Sequence, residues 1–193
     1  MRKLLIALAL SLTVGTVHSD ETIGFKKGDR VVFVGPTFVE RTARFGHLET
    51  ALTLAMPEKE LIFRNLGWSA DTVMGESRGY EKPQSGYANL LRSIRESKPT
   101  LLFLAYGPAE SWAETPEAFT ANYQKLLNDL KDLGARKVLV SPFLQENWGP
   151  PMPNPAAHNE DLREHTAIIA KLAAKNGLAH ISLIDLIKPE VEK

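Results

Sequence analysis

The stretch Arg30-Val31-Val32-Phe33-Val34-Gly35-Pro36-Thr37 (RVVFVGPT) runs from one charged residue through four apolar ones into a Gly-Pro-Thr corner. An apolar run without polar alternation describes a strand covered on both faces, as in a parallel sheet between layers of helix. Four more short apolar runs follow along the chain: Glu60 to Leu66, Thr100 to Tyr106, Lys137 to Ser141 and His180 to Ile184. Between them the spacing turns helical. In Pro116 to Leu133 the residues Phe119, Tyr123, Leu126, Leu127, Leu130 and Leu133 form one stripe, and in Asn159 to Asn176 Leu162, Ile168, Ile169, Leu172 and Ala173 do the same. Thr115-Pro116-Glu117 is a helix start, and Gly134 and Gly177 stand where helices should end. Strand and helix alternating in this way predict a three-layer α/β/α sandwich on a five-stranded parallel sheet with right-handed crossovers.

The first residues stand apart from this pattern. Arg2 and Lys3 precede the apolar stretch Leu4 to Val14, and Val17-His18-Ser19 offers small residues for cleavage. Residues 1–19 therefore read as a secretory signal peptide, with an uncleaved anchor as the alternative. Residues 20–193 read as one domain, large enough for a substantial core. Cleavage removes two of the 23 basic residues and none of the 23 acidic ones, so the mature net charge is 21 − 23 = −2. Such a chain offers no electrostatic case for nucleic acid, and no later segment is long enough to span a membrane. With no cysteine, an exported protein, secreted or periplasmic, must be held by its core alone.

In open parallel sheets the working site lies beyond the carboxyl ends of the strands. After the first strand, Thr37 is either a hydroxyl nucleophile at a helix N-terminus or a helix cap whose capping box Glu40 completes. After the second come Gly67, Trp68, Ser69 and Asp71. Gly67 can present a free amide or let the backbone approach a ligand, while Ser69, Asp71 and Thr72 can form a turn. After the third come Gly107, Ala109, Glu110 and Trp112, where Glu110 is either an acid/base group or a solvated loop residue. The rigid Gly149 to Pro155 segment is expected over the exit loop of the fourth strand, as a lid wall or merely a stiff connection. No ligand spacing suggests a metal, and nothing suggests a cofactor.

Taken together, these loops resemble the SGNH/GDSL-type hydrolases, an esterase family, and most closely an exported subgroup. The pattern GDRVVFxGDTxxER…G…LETxLT has its counterparts in Gly28 to Arg41, Gly46 and Leu48 to Thr53. FRNLGWSxDTVxGESR stands almost unbroken from Phe63 to Arg78, and YGxNES is matched with changes by Tyr106 to Ser111. The resemblance covers nearly the whole mature chain. It implies a flavodoxin-like strand order 2-1-3-4-5 and hydrolysis of acyl esters, including acetylated carbohydrate. It also implies a nucleophile at Thr37 and oxyanion-hole donors at Gly67 and at the asparagine position held here by Ala109. Substrate would lie against Trp68, Ser69, Asp71, Gly107, Glu110 and Trp112.

Against that pattern the chain departs at three places. The residue before the hydroxyl is Pro36 instead of aspartate, Ala109 has no side-chain donor, and the terminal Asp-x-x-His block has no counterpart after Asp185. His47, two to three turns beyond Thr37, lies too far along the first helix to return as base; His180 starts a strand at the wrong edge; His158 follows the proline-rich loop toward the right face. Three readings result: an inactive or weakly active relative of ester hydrolases with Thr37 as a cap, a hydrolase using Thr37 with an unusual base, or a module holding carbohydrate between Trp68, Trp112 and Trp148. The loss of the family's last helix predicts an uncovered apolar face, and with it a homodimer or low solubility.

Overall fold

The computed structural model describes residues 23–79, 82 and 85–187, so the segment read as a signal peptide lies outside the described residues. Five strands form one sheet: β1 Arg30–Val34, β2 Ile62–Asn65, β3 Leu101–Ala105, β4 Arg136–Ser141 and β5 Ala179–Ser182. All neighbours pair in parallel, in the order β2-β1-β3-β4-β5. The helices are α1 Thr37–Phe45, α2 His47–Ala55, α3 Gly86–Glu96, α4 Pro116–Asp129, α5 Ala156–Asn176 and the single turn α6 Leu183–Leu186. The three-layer sandwich and the strand order expected from the sequence are both present. The apolar runs overshoot the strands by a residue or two where they continue into loops, as at Glu60 and Tyr106.

Burial on both faces explains the unbroken apolar runs. Along each strand alternate residues point to opposite sides. Val32, Val34, Leu102, Leu104 and Leu139 face a core completed by Leu90 and Ile94 of α3, Phe119 and Tyr123 of α4, and Ile169 of α5. Val31, Phe33, Leu101, Phe103, Val138 and Val140 face the other way, against Val39 of α1 and a thinner set of partners. Thr115 caps α4 by accepting the Ala118 N–H at 3.3 Å, and Gly177 closes α5 with φ of 63°.

The two faces differ in cover. Helix α2 has no buried residue, Leu54 is 76% exposed, and an apolar cavity of about 300 Å³ opens beside Phe25, Phe33, Phe38, Phe103, Val140 and Leu183. At the amino edge of the sheet, Asp29 is buried and pairs with Arg136, while also accepting the Thr100 hydroxyl at 2.7 Å. Burial pushes its carboxyl up, but the Arg136 guanidinium and the other donors outweigh it and hold the group below the usual carboxylate range. This ion pair ties β1, β3 and β4 together at the end opposite the candidate site.

Candidate functional site

The loops leaving β1, β2 and β3 converge at the carboxyl edge of the sheet. Gly35 is confined there: a Cβ on it would lie 2.4 Å from the Ala105 carbonyl oxygen. Helix α1 begins at Thr37, with Pro36 in the capping position and no side-chain cap. The capping box expected of Thr37 and Glu40 is therefore not formed. Thr37 stands one residue too late, already inside the first turn, and the Glu40 amide is taken by the Pro36 carbonyl at 3.1 Å. Instead both side chains reach across to the β2 loop. Thr37 Oγ1 accepts the Ala70 N–H at 3.1 Å, and the Glu40 carboxylate accepts the Ser69 hydroxyl.

That loop is braced from beneath. Gly67 passes so close to α1 that a Cβ would sit 2.2 Å from the Glu40 nitrogen, so only glycine fits. Its N–H is not free: it donates to Asn65 Oδ1 at 2.8 Å, and Asn65 Nδ2 in turn donates to the Val39 carbonyl at 2.8 Å. Asp71 closes a turn through its N–H, donated to the Trp68 carbonyl at 3.1 Å, but its side chain points inward. It is fully buried, paired with Arg78 at 2.7 Å, and accepts the Tyr106 hydroxyl at 3.1 Å. Burial pushes the Asp71 carboxyl up; the guanidinium and phenol oppose this without reversing it. Arg78 also donates to the Leu66 carbonyl at 2.7 Å, which locks the loop's start to its end.

Glu110 is a second correction, being neither solvated nor open to a ligand. It is fully buried and accepts the Val73 N–H at 2.8 Å and the Gly107 N–H at 2.9 Å, joining the second loop to the third. Burial outweighs those bonds and pushes its carboxyl up to about 7. Gly107 has φ of 120°, which favours glycine, and Ala109 contributes no side-chain donor. Ser69 is exposed beside the Thr37 corner.

No tryptophan lines the apolar cavity beside α1 or the notch at the Thr37 corner. Trp68 is half-buried and donates its indole N–H to the Ser77 carbonyl at 3.1 Å, with the Arg78 guanidinium 5.7 Å from its ring centre. Trp112 is 69% exposed and stacks on His158 at 3.6 Å between ring centres; Trp148 is also exposed. A small apolar notch does lie at the corner itself, between Pro36, Phe38, Tyr106, Pro108 and Phe143.

No histidine nitrogen is bonded to Thr37 Oγ1 among the described residues. Helix α1 breaks at Gly46, so His47 opens α2 and stacks on Phe45; His180 lies within β5. His158 does reach the carboxyl-end face, but its Nε2 lies 3.5 Å from Ser111 Oγ, a residue the sequence reading passed over. Ser111 and His158 are separated by 47 residues and no local motif links them. Among the described residues no three His, Asp or Glu side chains are grouped to hold a metal ion, and no helix is long and apolar enough to cross a membrane.

No family model matches the sequence, and no curated protein matches it. Solved structures do match by shape. A catalytic mutant of an acetylxylan esterase from Geobacillus stearothermophilus superposes with a TM-score of 0.66 at 15% identity, covering 85% of this chain and 82% of that one. An acetyl xylan esterase gives 0.61 at 19% identity, covering 81% and 78%. A GDSL-like lipase from Bacteroides thetaiotaomicron gives 0.56 at 18% identity, covering 80% and 68%. The five-stranded parallel sheet in the order 2-1-3-4-5, with helices on its two faces, gives this chain the SGNH/GDSL hydrolase fold.

Proposed function

We propose that this is an exported relative of the ester hydrolases whose Thr37 corner is silent or nearly so toward acyl esters. A hydroxyl becomes a useful nucleophile only when a base accepts its proton. The observation that carries the reading is that Thr37 Oγ1 has a donor, the Ala70 amide, as its hydrogen-bond partner. The neighbouring donors support it: the Gly67 N–H is engaged by Asn65, and Ala109 lacks the side chain that would hold an oxyanion. Losing one such donor typically costs about 10²–10³ in rate.

Acetylated saccharides are the ester class favoured by the resemblance to acetylxylan esterases. In a p-nitrophenyl acetate assay, wild type and Thr37→Ala are expected to show the same low rate. A drop of tenfold or more in Thr37→Ala would show that the threonine works after all.

A second reading rests on the exposed indole of Trp112, with one face on His158 and the other open to solvent. Flat aromatic faces of this kind suit the apolar face of a sugar ring, so a non-catalytic carbohydrate-binding role remains the alternative at the same edge. Titration with xylo-oligosaccharides while following tryptophan fluorescence distinguishes it, since Trp112→Ala would abolish any quenching.

A further inference from the structure

A hydroxyl, an imidazole and a carboxylate meet at Ser111, His158 and Asp161, to none of which the resemblance assigns a catalytic role. Ser111 lies in the single helical turn Glu110–Trp112 that follows β3, and it is only half-buried. His158 and Asp161 lie one turn apart at the start of α5. His158 Nε2 is 3.5 Å from Ser111 Oγ, and His158 Nδ1 is 3.9 Å from Asp161 Oδ2. The imidazole is 7% exposed, and its Nδ1 is buried with no hydrogen-bond partner. Trp112, stacked on the ring at 3.6 Å and 18° between planes, fixes the plane in which both nitrogens point. A ring held edge-on between a hydroxyl and a carboxylate is the arrangement that nucleophilic catalysis requires, and such contacts are commonly long before substrate binds.

We propose that Ser111 is a nucleophile for acyl esters, with His158 as its base and Asp161 orienting the ring. Ser111 Oγ forms a bond to the ester carbonyl carbon while its proton passes to His158 Nε2. The ester C–O bond then breaks and the alcohol leaves with that proton. Water reverses the sequence, giving a proton to Nε2 as it attacks, so that the acid is released and the hydroxyl restored. At rest the Ser111 hydroxyl donates to the Pro108 carbonyl at 3.0 Å, so attack begins with rotation of that O–H toward Nε2. Burial holds the ring below the ordinary histidine value, the Asp161 carboxylate pulling against it and His165 adding to it; a neutral ring keeps the lone pair the step needs. Ala109 offers no side-chain donor for the oxyanion, so a slow reaction is expected, better read as a covalent adduct than as turnover.

The inference shares with the preceding section only its assignment to ester chemistry. The test is labelling of the whole protein by a fluorophosphonate probe: the P–F bond breaks, fluoride leaves, and the Ser111 proton goes to Nε2. Peptide mapping by mass spectrometry is expected to find the adduct on Ser111, absent in Ser111→Ala and unchanged in Thr37→Ala. Because a base contributes about 10²–10⁴ to such steps, His158→Gln is expected to slow labelling at least a hundredfold. Asp161 is exposed, so Asp161→Asn should leave the melting temperature in place while slowing labelling about tenfold. An adduct on Thr37 overturns both this inference and the silent-corner reading. No adduct on the folded protein, or one on Ser111 indifferent to both His158→Gln and Asp161→Asn, overturns this inference alone.

Discussion

Glu110 shows how a residue that looks catalytic can act as a brace. Its two oxygens hold amides from separate loops, and its burial pushes the carboxyl from its ordinary value of 4.5 up to about 7. Below about pH 4.5 folded and unfolded chains both carry the proton. Between about 4.5 and 7 the unfolded chain releases it while the folded chain keeps it, so stability falls as pH rises through that window and levels off above it. That displacement corresponds to about 3 kcal/mol. Urea denaturation across pH 4 to 8 should show that decline in the wild type and a much flatter profile in Glu110→Gln. An equal slope in both proteins would assign the effect to another group. The Asp71–Arg78 pair works on the same principle without a proton: removing one member of such a buried pair typically costs about 3–5 kcal/mol.

Elements were legible in the sequence to the extent that burial leaves a local mark. The run Arg30–Val34 was readable as a two-faced strand because both alternations meet core, and Thr115 as a cap because the proline behind it fixes the first turn. The same logic failed for Thr37. Whether that threonine caps α1 depends on a one-residue offset in where the helix begins, which Pro36 and the crowded Gly35 corner decide. The pairing of Ser111 with His158 left no trace at all, since α4, β4 and a long loop separate them in the chain. Helix α2 carries apolar residues at helical spacing yet buries none of them, because the layer it should join is thin on that side. Its amides are expected to exchange with deuterium well ahead of those of α4, whose Phe119, Tyr123 and Leu126 are fully buried. Equal protection of the two helices would mean that α2 has a cover not among the described residues.

At the scale of the whole molecule the sandwich is lopsided. Among the described residues, one side of the sheet is closed by three helices, whereas the other keeps an open apolar cavity with Leu48 in its lining, and Leu54 and Ile187 are exposed as well. Contiguous apolar surface of this kind favours association. Light scattering at rising concentration is expected to show mass above that of the monomer, with Leu48→Glu shifting it back; a monomer at every concentration would count against this. The imbalance also touches thermodynamics. The heat capacity released on melting and the steepness of a denaturant curve both follow the hydrocarbon newly wetted when a chain unravels. A fold that already wets one of its flanks has less left to reveal, so this protein should melt with a smaller heat-capacity step, and a shallower denaturant slope, than its length alone would suggest.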